Sequence, residues 1–298
     1  MTILLTVKSY RYWVFEMKSK TTVHGAVSIV NALATGKGSA LGISLETTAE
    51  VLLTTENNVE IIINNDKSED KTLARECFKL VKPSSSESGG AIITVDSDIP
   101  IGRGLKSSSA AASAIVLSCL KAFDLSFTEK QVLDLSVQAS KNAGVTITGA
   151  LDDTSACLLG GLVVTDNLSN KILSRKEIDD DYSVLIHVPK NKTYTKDVDL
   201  SNSTDFDSSI NTLISMALEG NYLNAMSLNG MIYSKLLKQS DLASILALKS
   251  NALASGLSGT GPSVAAICNS DTKSSIIDSW KSLDGDIISA KINNETGL

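Results

Sequence analysis

An α+β fold in two parts follows from three features of the sequence. Segments rich in β-branched residues and segments with helical spacing are mixed without the strict strand–helix alternation of a parallel α/β fold. The chain has 298 residues, enough for about two domains. Its character also changes across the polar stretch from Asp166 to Asp181. Dividing the chain there gives an N-terminal extension at 1–16, a first subdomain at 17–175 and a second at 176–298.

The elements follow in order. Met17 opens a strand directly, and β-branched runs predict strands at Thr21 to Val30, Ala40 to Leu45, Ala49 to Thr54, Val59 to Ile63 and Ala91 to Val95. A helix from Lys71 to Lys82 stops at Pro83, and the Ser- and Gly-rich run from Pro83 to Gly90 reads as a surface turn. Helices then take Ser107 to Phe123, Thr128 to Lys141 and Gly149 to Leu158. Thr128 suits an N-cap, with Glu129 in the first turn. After Gly160-Gly161 comes a strand at Leu162 to Thr165. Beyond the polar stretch, a strand at Ser183 to Val188 precedes helices at Ser208 to Leu218, Tyr222 to Leu237 and Leu242 to Ala254. Strands at Ser263 to Cys268 and Asp286 to Lys291 close the chain, with a helix between them.

Composition excludes several function classes. With Lys+Arg 27 against Asp+Glu 33 the net charge is −6, the wrong sign for general phosphate neutralisation on a nucleic acid. Aromatic residues are 4%, too few for a base-stacking platform. Four cysteines in no CxxC pair and two histidines, His24 and His187, supply no structural zinc set. Cys119, Cys157 and Cys268 lie in apolar surroundings and read as buried thiols of a reducing, cytoplasmic protein. No apolar run is long enough to span a membrane, and the first sixteen residues lack a signal-peptide pattern.

Three segments carry chemistry. The first is Pro100-Ile-Gly-Arg-Gly-Leu-Lys-Ser-Ser-Ser-Ala110, running into a helix. A glycine-rich turn, clustered hydroxyls and a helix N-terminus together form a phosphate cradle, although a serine-capped helix behind a glycine turn reads the same way. A Walker loop fails at the Gly-Lys pair Gly36-Lys37, which is followed by Gly38 and preceded at the required distance by Asn31. The first segment is not a dinucleotide fingerprint either, since Ser107 stands where the third glycine belongs. Nor is there a nucleophile elbow, because Thr260 breaks the pattern around Ser258. The second segment, Thr146 to Gly161, places Asp152 and Asp153 among small and apolar residues. Adjacent carboxylates there serve either as helix caps or as a base that orients an attacking hydroxyl. The third, Ser255-Gly-Leu-Ser-Gly-Thr-Gly-Pro-Ser263, is either a tight turn or a second backbone nest for an anion.

The three segments in this order resemble the GHMP kinase superfamily over about residues 20 to 292. Residues 100 to 110 resemble its motif Pro-x-x-x-Gly-Leu-Gly-Ser-Ser-Ala, and Ser258 to Pro262 resembles Ser-Gly-x-Gly-Pro. Lys106-Ser-Ser-Ser in place of Gly-Ser-Ser, the run Gly25 to Gly38, and Thr148-Gly-Ala-Leu-Asp-Asp153 resemble the archaeal-type shikimate kinases within it. The resemblance implies an α+β GHMP kinase fold with a left-handed βαβ unit in the N-terminal half and a ferredoxin-like C-terminal half. It implies ATP and Mg²⁺, with shikimate and ATP as partners and the shikimate 3-hydroxyl as acceptor. The residues implied to bind ATP are Pro100, Ile101, Gly102, Arg103, Gly104, Leu105, Lys106, Ser107, Ser108, Ser109 and Ala110, with Ser108 as the metal ligand. Counting back from Gly160-Gly161 puts Asp153 at the catalytic position, with Asp152 as the alternative. Lys37, Gly259 and Gly261 fall to the substrate; Arg103, Lys106 and Lys37 are the cations for its carboxylate or the transferring phosphoryl group.

Two departures accompany the resemblance. The glutamate that helps hold magnesium in the mevalonate-kinase branch is replaced by Asn142, eleven residues before Asp153. The first superfamily motif is missing, with His24-Gly25 in its place and Lys18 or Lys20 to supply a charge. A homoserine kinase would carry the third segment equally well, though such enzymes tend to lack the catalytic carboxylate. Another GHMP small-molecule kinase, or a ligand sensor without turnover on the same fold, are the remaining alternatives.

Overall fold

The first sheet is organised around one long strand. The computed structural model describes residues 17–66, 68–84, 86, 89–179, 181–190 and 206–298, so the N-terminal extension lies outside the described residues. In chain order these residues form β1 (Lys18–Val30), β2 (Lys37–Thr54), β3 (Val59–Ile63), α1 (Thr72–Val81), β4 (Gly90–Ser97), α2 (Ser107–Ala122), α3 (Glu129–Asn142), α4 (Leu151–Leu159), β5 (Leu162–Asp166) and β6 (Lys171–Lys176). There follow β7 (Ser183–Val188), α5 (Asp207–Leu218), α6 (Tyr222–Leu236), α7 (Leu242–Lys249), β8 (Ala254–Leu257), β9 (Val264–Cys268), α8 (Ser270–Trp280) and β10 (Asp286–Lys291).

One edge of β2 carries β1. Its other edge carries β5 along Lys37–Leu41 and β4 along Thr47–Thr54, and β3 and β6 flank these two. The β3–α1–β4 unit is a parallel crossover, the βαβ element expected in this half. The second sheet has the antiparallel order β10-β7-β9-β8, with α5 to α7 between β7 and β8 and α8 between β9 and β10. This is the ferredoxin-like arrangement. Among the described residues no helix is long and apolar enough to cross a membrane.

Three sequence expectations are corrected. Ala40 to Leu45 and Ala49 to Thr54 are one strand, because the polar residues Ser44 and Glu46 face out while the register shifts by a bulge opposite His24 and Gly25. The polar stretch 166–181 contains β6, an exposed edge strand whose lysines and arginine hide any alternation. The last helix before the third segment ends at Lys249 rather than Ala254, since Asn251 turns left-handed at φ 65° and the chain re-enters the sheet as β8.

Helix α2 anchors the first segment to the core. Its small side chains let it sit against β1 and β2 with α1, α3 and α4 around it, buried from Ser109 to Leu120 except Ala111. Two buried hydroxyls tie it to the sheet: Thr21 Oγ1 donates to the Ala114 carbonyl and Ser118 Oγ to the Ala49 carbonyl, both at 2.8 Å. The four cysteines are free and buried, and burial pushes the Cys77, Cys119 and Cys157 thiols up so that they stay protonated. The C-terminal tail crosses back onto the first sheet, where Asn293 N–H donates to the Gly42 carbonyl at 3.0 Å and Gly161 N–H to the Asn293 carbonyl at 2.8 Å. Because Leu117 is fully enclosed, Leu117→Ala should cost about 2–5 kcal/mol in urea unfolding. A loss under about 0.5 kcal/mol, the range of a surface change, would contradict this packing.

Candidate active site

The phosphate loop, the aspartate pair and the third segment converge on one cavity of about 580 Å³. Its walls are Ser28 of β1 and Asn31, Ala32 and Leu33 just after it, the loop residues Ile101, Gly102, Gly104 and Lys106, and Ser107, Ser108 and Ser109 at the start of α2. The α3–α4 connection, with Thr146 and Thr148, leads to Asp152 and Asp153, while Gly259 and Thr260 close the other side.

The loop folds as its glycines require. Gly102 and Gly104 have φ of 67° and 79°, and Lys106, the residue before α2, also turns left-handed at 66°. At Gly104 a Cβ would stand 2.1 Å from the Ser258 carbonyl oxygen, so the loop could not seat against the third segment with any side chain there. No side chain caps α2; its first intrahelical bond is Ala110 N–H to the Lys106 carbonyl at 3.0 Å. The N–H groups before that bond, with the helix dipole behind them, are oriented for an anion.

The left-handed turn at Lys106 directs its side chain into the cavity floor. Lys106 Nζ lies 3.0 Å from Asp153 Oδ1 and donates to Ser28 Oγ at 2.8 Å. Gly259 N–H donates to the same Ser28 oxygen at 3.0 Å. Ser258 Oγ donates to the Gly104 carbonyl at 2.8 Å and accepts from Ser28 N–H at 3.1 Å. Asn31 Nδ2 donates to the Gly259 carbonyl at 2.8 Å, and Asn31 is itself held by Asn229 and Tyr233 of α6. The third segment is thereby bolted to both β1 and the phosphate loop.

The two aspartates part company at the first turn of α4. Asp153 turns to Lys106. Asp152, 4% exposed, turns away and accepts from Asn167 Nδ2 at 2.9 Å. Burial above all, and then the Asp153 charge, push the Asp152 carboxyl up to about 7, against the smaller pull of Lys106 and the Asn167 amide.

Several sequence-named residues stand elsewhere. Lys37 does not line this cavity; it pairs with Asp166 across β2 and β5, and adds to the Ser169 N–H that chiefly holds the Asp166 carboxyl low. Arg103 turns outward, donating to the Lys190 carbonyl at 2.6 Å and lining a neighbouring hollow with Pro100. Leu105 and Ala110 are buried in the core, and Gly261 is absent from the cavity wall although Gly259 is part of it. Asn142 is exposed and donates to Glu76 of α1 at 3.0 Å, outside the cavity. His24 lies within β1, 3.8 Å from Glu46. Ser28, Asn31 and Asn167 take no role from the sequence alone, because their partners are distant in the chain, and Thr148 lies in the second segment without one.

Among the described residues no cluster of three metal-ligating side chains exists. The oxygen donors Ser108 and Asp153 share the cavity with the anion cradle, a set that suits Mg²⁺ held jointly with phosphates.

Asp152 gives the site a pH signature. With its carboxyl raised from 3.8 to about 7, the folded chain keeps a proton that the unfolded chain has lost. The stability this group contributes is full below about pH 4 and is lost as pH rises through about 7. Asp152→Asn, which does not ionise, should therefore gain stability relative to the wild type as pH rises from about 4 to about 7 in urea titrations. Parallel curves for the two proteins would contradict the raised value.

Comparison with known proteins agrees with this architecture. Residues 72–161 match the family model for the GHMP kinases N terminal domain and residues 220–284 that for the GHMP kinases C terminal. The chain is 38% identical over 280 residues to a shikimate kinase of Methanothrix thermoacetophila, covering 94% of this chain and 96% of that protein. It is 38% identical to one of Pyrococcus abyssi, covering 93% and 100%. Among solved structures, homoserine kinase from Cytophaga hutchinsonii superposes with a TM-score of 0.76 at 17% identity, over 96% of this chain and 98% of that one. Methanococcus jannaschii mevalonate kinase gives 0.73 at 17%, over 95% and 100%. The structural likenesses establish the fold; the sequence relatives, matched along nearly their whole length, place this chain in the shikimate kinase family of GHMP kinases.

Proposed function

We propose that the protein is a shikimate kinase, transferring the γ-phosphoryl group of ATP to the shikimate 3-hydroxyl to give shikimate 3-phosphate and ADP, a step toward chorismate and the aromatic amino acids. The observation that carries this reading is the Lys106–Asp153 pair, 3.0 Å apart, on the floor of the cavity that the phosphate loop opens into. The free N–H groups at the start of α2 hold the ATP phosphates, and Ser108 with Asp153 offers oxygen ligands to Mg²⁺. When bound, Mg²⁺ neutralises phosphate charge and orients the phosphates for in-line displacement.

Asp153 accepts the proton of the 3-hydroxyl as its oxygen attacks the γ-phosphorus and the bond to the ADP oxygen breaks. Lys106 fixes that carboxylate against the loop and places positive charge beside the transferring group. Ser28, holding Lys106 Nζ and Gly259 N–H on one oxygen, registers the third segment against this pair. In this reading the nucleotide-binding half is residues 17–175 and the remainder 176–298, and the buried free thiols suit a reducing cytoplasm.

The test is Mg²⁺- and ATP-dependent ADP release on shikimate, homoserine and mevalonate in parallel. Turnover with shikimate alone is expected, and Asp153→Ala should lower it by roughly 10³-fold while ATP still binds. Turnover with homoserine instead would overturn the substrate. Bound ATP with no turnover on any of the three would make the protein a sensor.

A further inference from the structure

We propose that Asp152, with Thr148, reads a hydroxyl adjacent to the one phosphorylated, so that the site selects a vicinal diol. This rests on the functional reading above and deepens it. Asp152 and Asp153 are consecutive residues on the first turn of α4, both in the cavity wall, yet their carboxylates diverge. Asp153 is committed to Lys106. The mechanism leaves Asp152 unused, although it is a carboxylate held almost wholly out of water.

Burying such a group without a cation in contact is costly, and an apolar side chain would fill the space at less expense. The surroundings are nevertheless shaped for it. At Gly38 of β2 a Cβ would stand 2.2 Å from Asp152 Oδ2 and 2.9 Å from Ala32 Cβ, so the absence of a side chain there makes the room. Asn167 is also fixed in orientation: Thr165 Oγ1 donates to its Oδ1 at 2.6 Å, which leaves its amide hydrogens for Asp152 at 2.9 Å and Thr148 Oγ1 at 3.2 Å. Since the Thr148 hydroxyl accepts from Asn167, its own proton is available as a donor, and Thr148 also lines the cavity. The wall thus places the Asp152 carboxyl, whose oxygens accept, beside a hydroxyl donor, and an alcohol, which both donates and accepts, satisfies the two together. A ligand lacking that alcohol leaves both groups unpaired in a dry site, the situation in which discrimination is steepest.

The test compares shikimate with 4-deoxyshikimate, which keeps the 3-hydroxyl and loses its neighbour, on the full-length wild type and Asp152→Asn. The asparagine keeps the shape and can still accept from Asn167. The wild type should prefer shikimate by about 100-fold or more in kcat/KM, and in Asp152→Asn that preference should shrink to under about 10-fold, chiefly through the KM for shikimate, with the KM for ATP unmoved. Thr148→Val removes the other half of the contact and should narrow the preference too, which keeps the test decisive if Asp152→Asn fails to fold. An undiminished preference in the variants, with both substrates losing rate in parallel, would make Asp152 a purely structural residue and overturn the inference. Failure of the wild type to turn over shikimate at all would instead overturn the functional reading, and this inference with it.

Discussion

Lys106 and Asp153 form the contact on which the rest of the site depends. An L-residue in the left-handed region costs roughly 1–2 kcal/mol, and Lys106 adopts it at the head of a buried helix. Deleting one partner of a largely buried ion pair leaves the other charge uncompensated at a cost of about 3–5 kcal/mol, so the strained turn and the pair stand together. The related motif has glycine at this position. With lysine there the turn stays left-handed and a cation reaches the α4 carboxylate.

The hydrogen bonds around that contact tie the two halves of the chain together. Ser28 of β1 receives both Lys106 Nζ and Gly259 N–H, and Ser258 reaches back to the Gly104 carbonyl. Residues more than two hundred positions apart therefore meet within one hydrogen-bonded cluster. The third segment closes one side of the cavity and meets the Lys106–Asp153 pair through Ser28. The bare approach at Gly104, where no Cβ fits, is the steric counterpart of those bonds.

Much of this was legible in the sequence, for identifiable reasons. The phosphate loop, α2 and the aspartates are local patterns: glycines where φ is positive, hydroxyls at a helix start, carboxylates at another. The capped start of α3 was readable too, with Thr128 accepting from Gln131 N–H as its N-cap. Strand β6 was hidden because an edge strand clothed in lysine and arginine has no apolar alternation, and β8 because its alanine, serine and glycine resemble a loop. The direction of a long cation was not readable either. Arg103 and Lys106 lie in one loop, yet the first turns out to Lys190 and the second in to Asp153. Asn142 matched by counting alone; the helix carries it to the α1 side, where Glu76 holds it.

The most direct test of the central contact is a double-mutant cycle on kcat with shikimate, pairing Lys106→Met with Asp153→Asn. If the two act as one unit, the double variant should be no more than about 10-fold slower than the worse single, a coupling of the size seen for groups in direct contact. Losses that simply multiply would mean that Lys106 and Asp153 act independently, and would contradict the account.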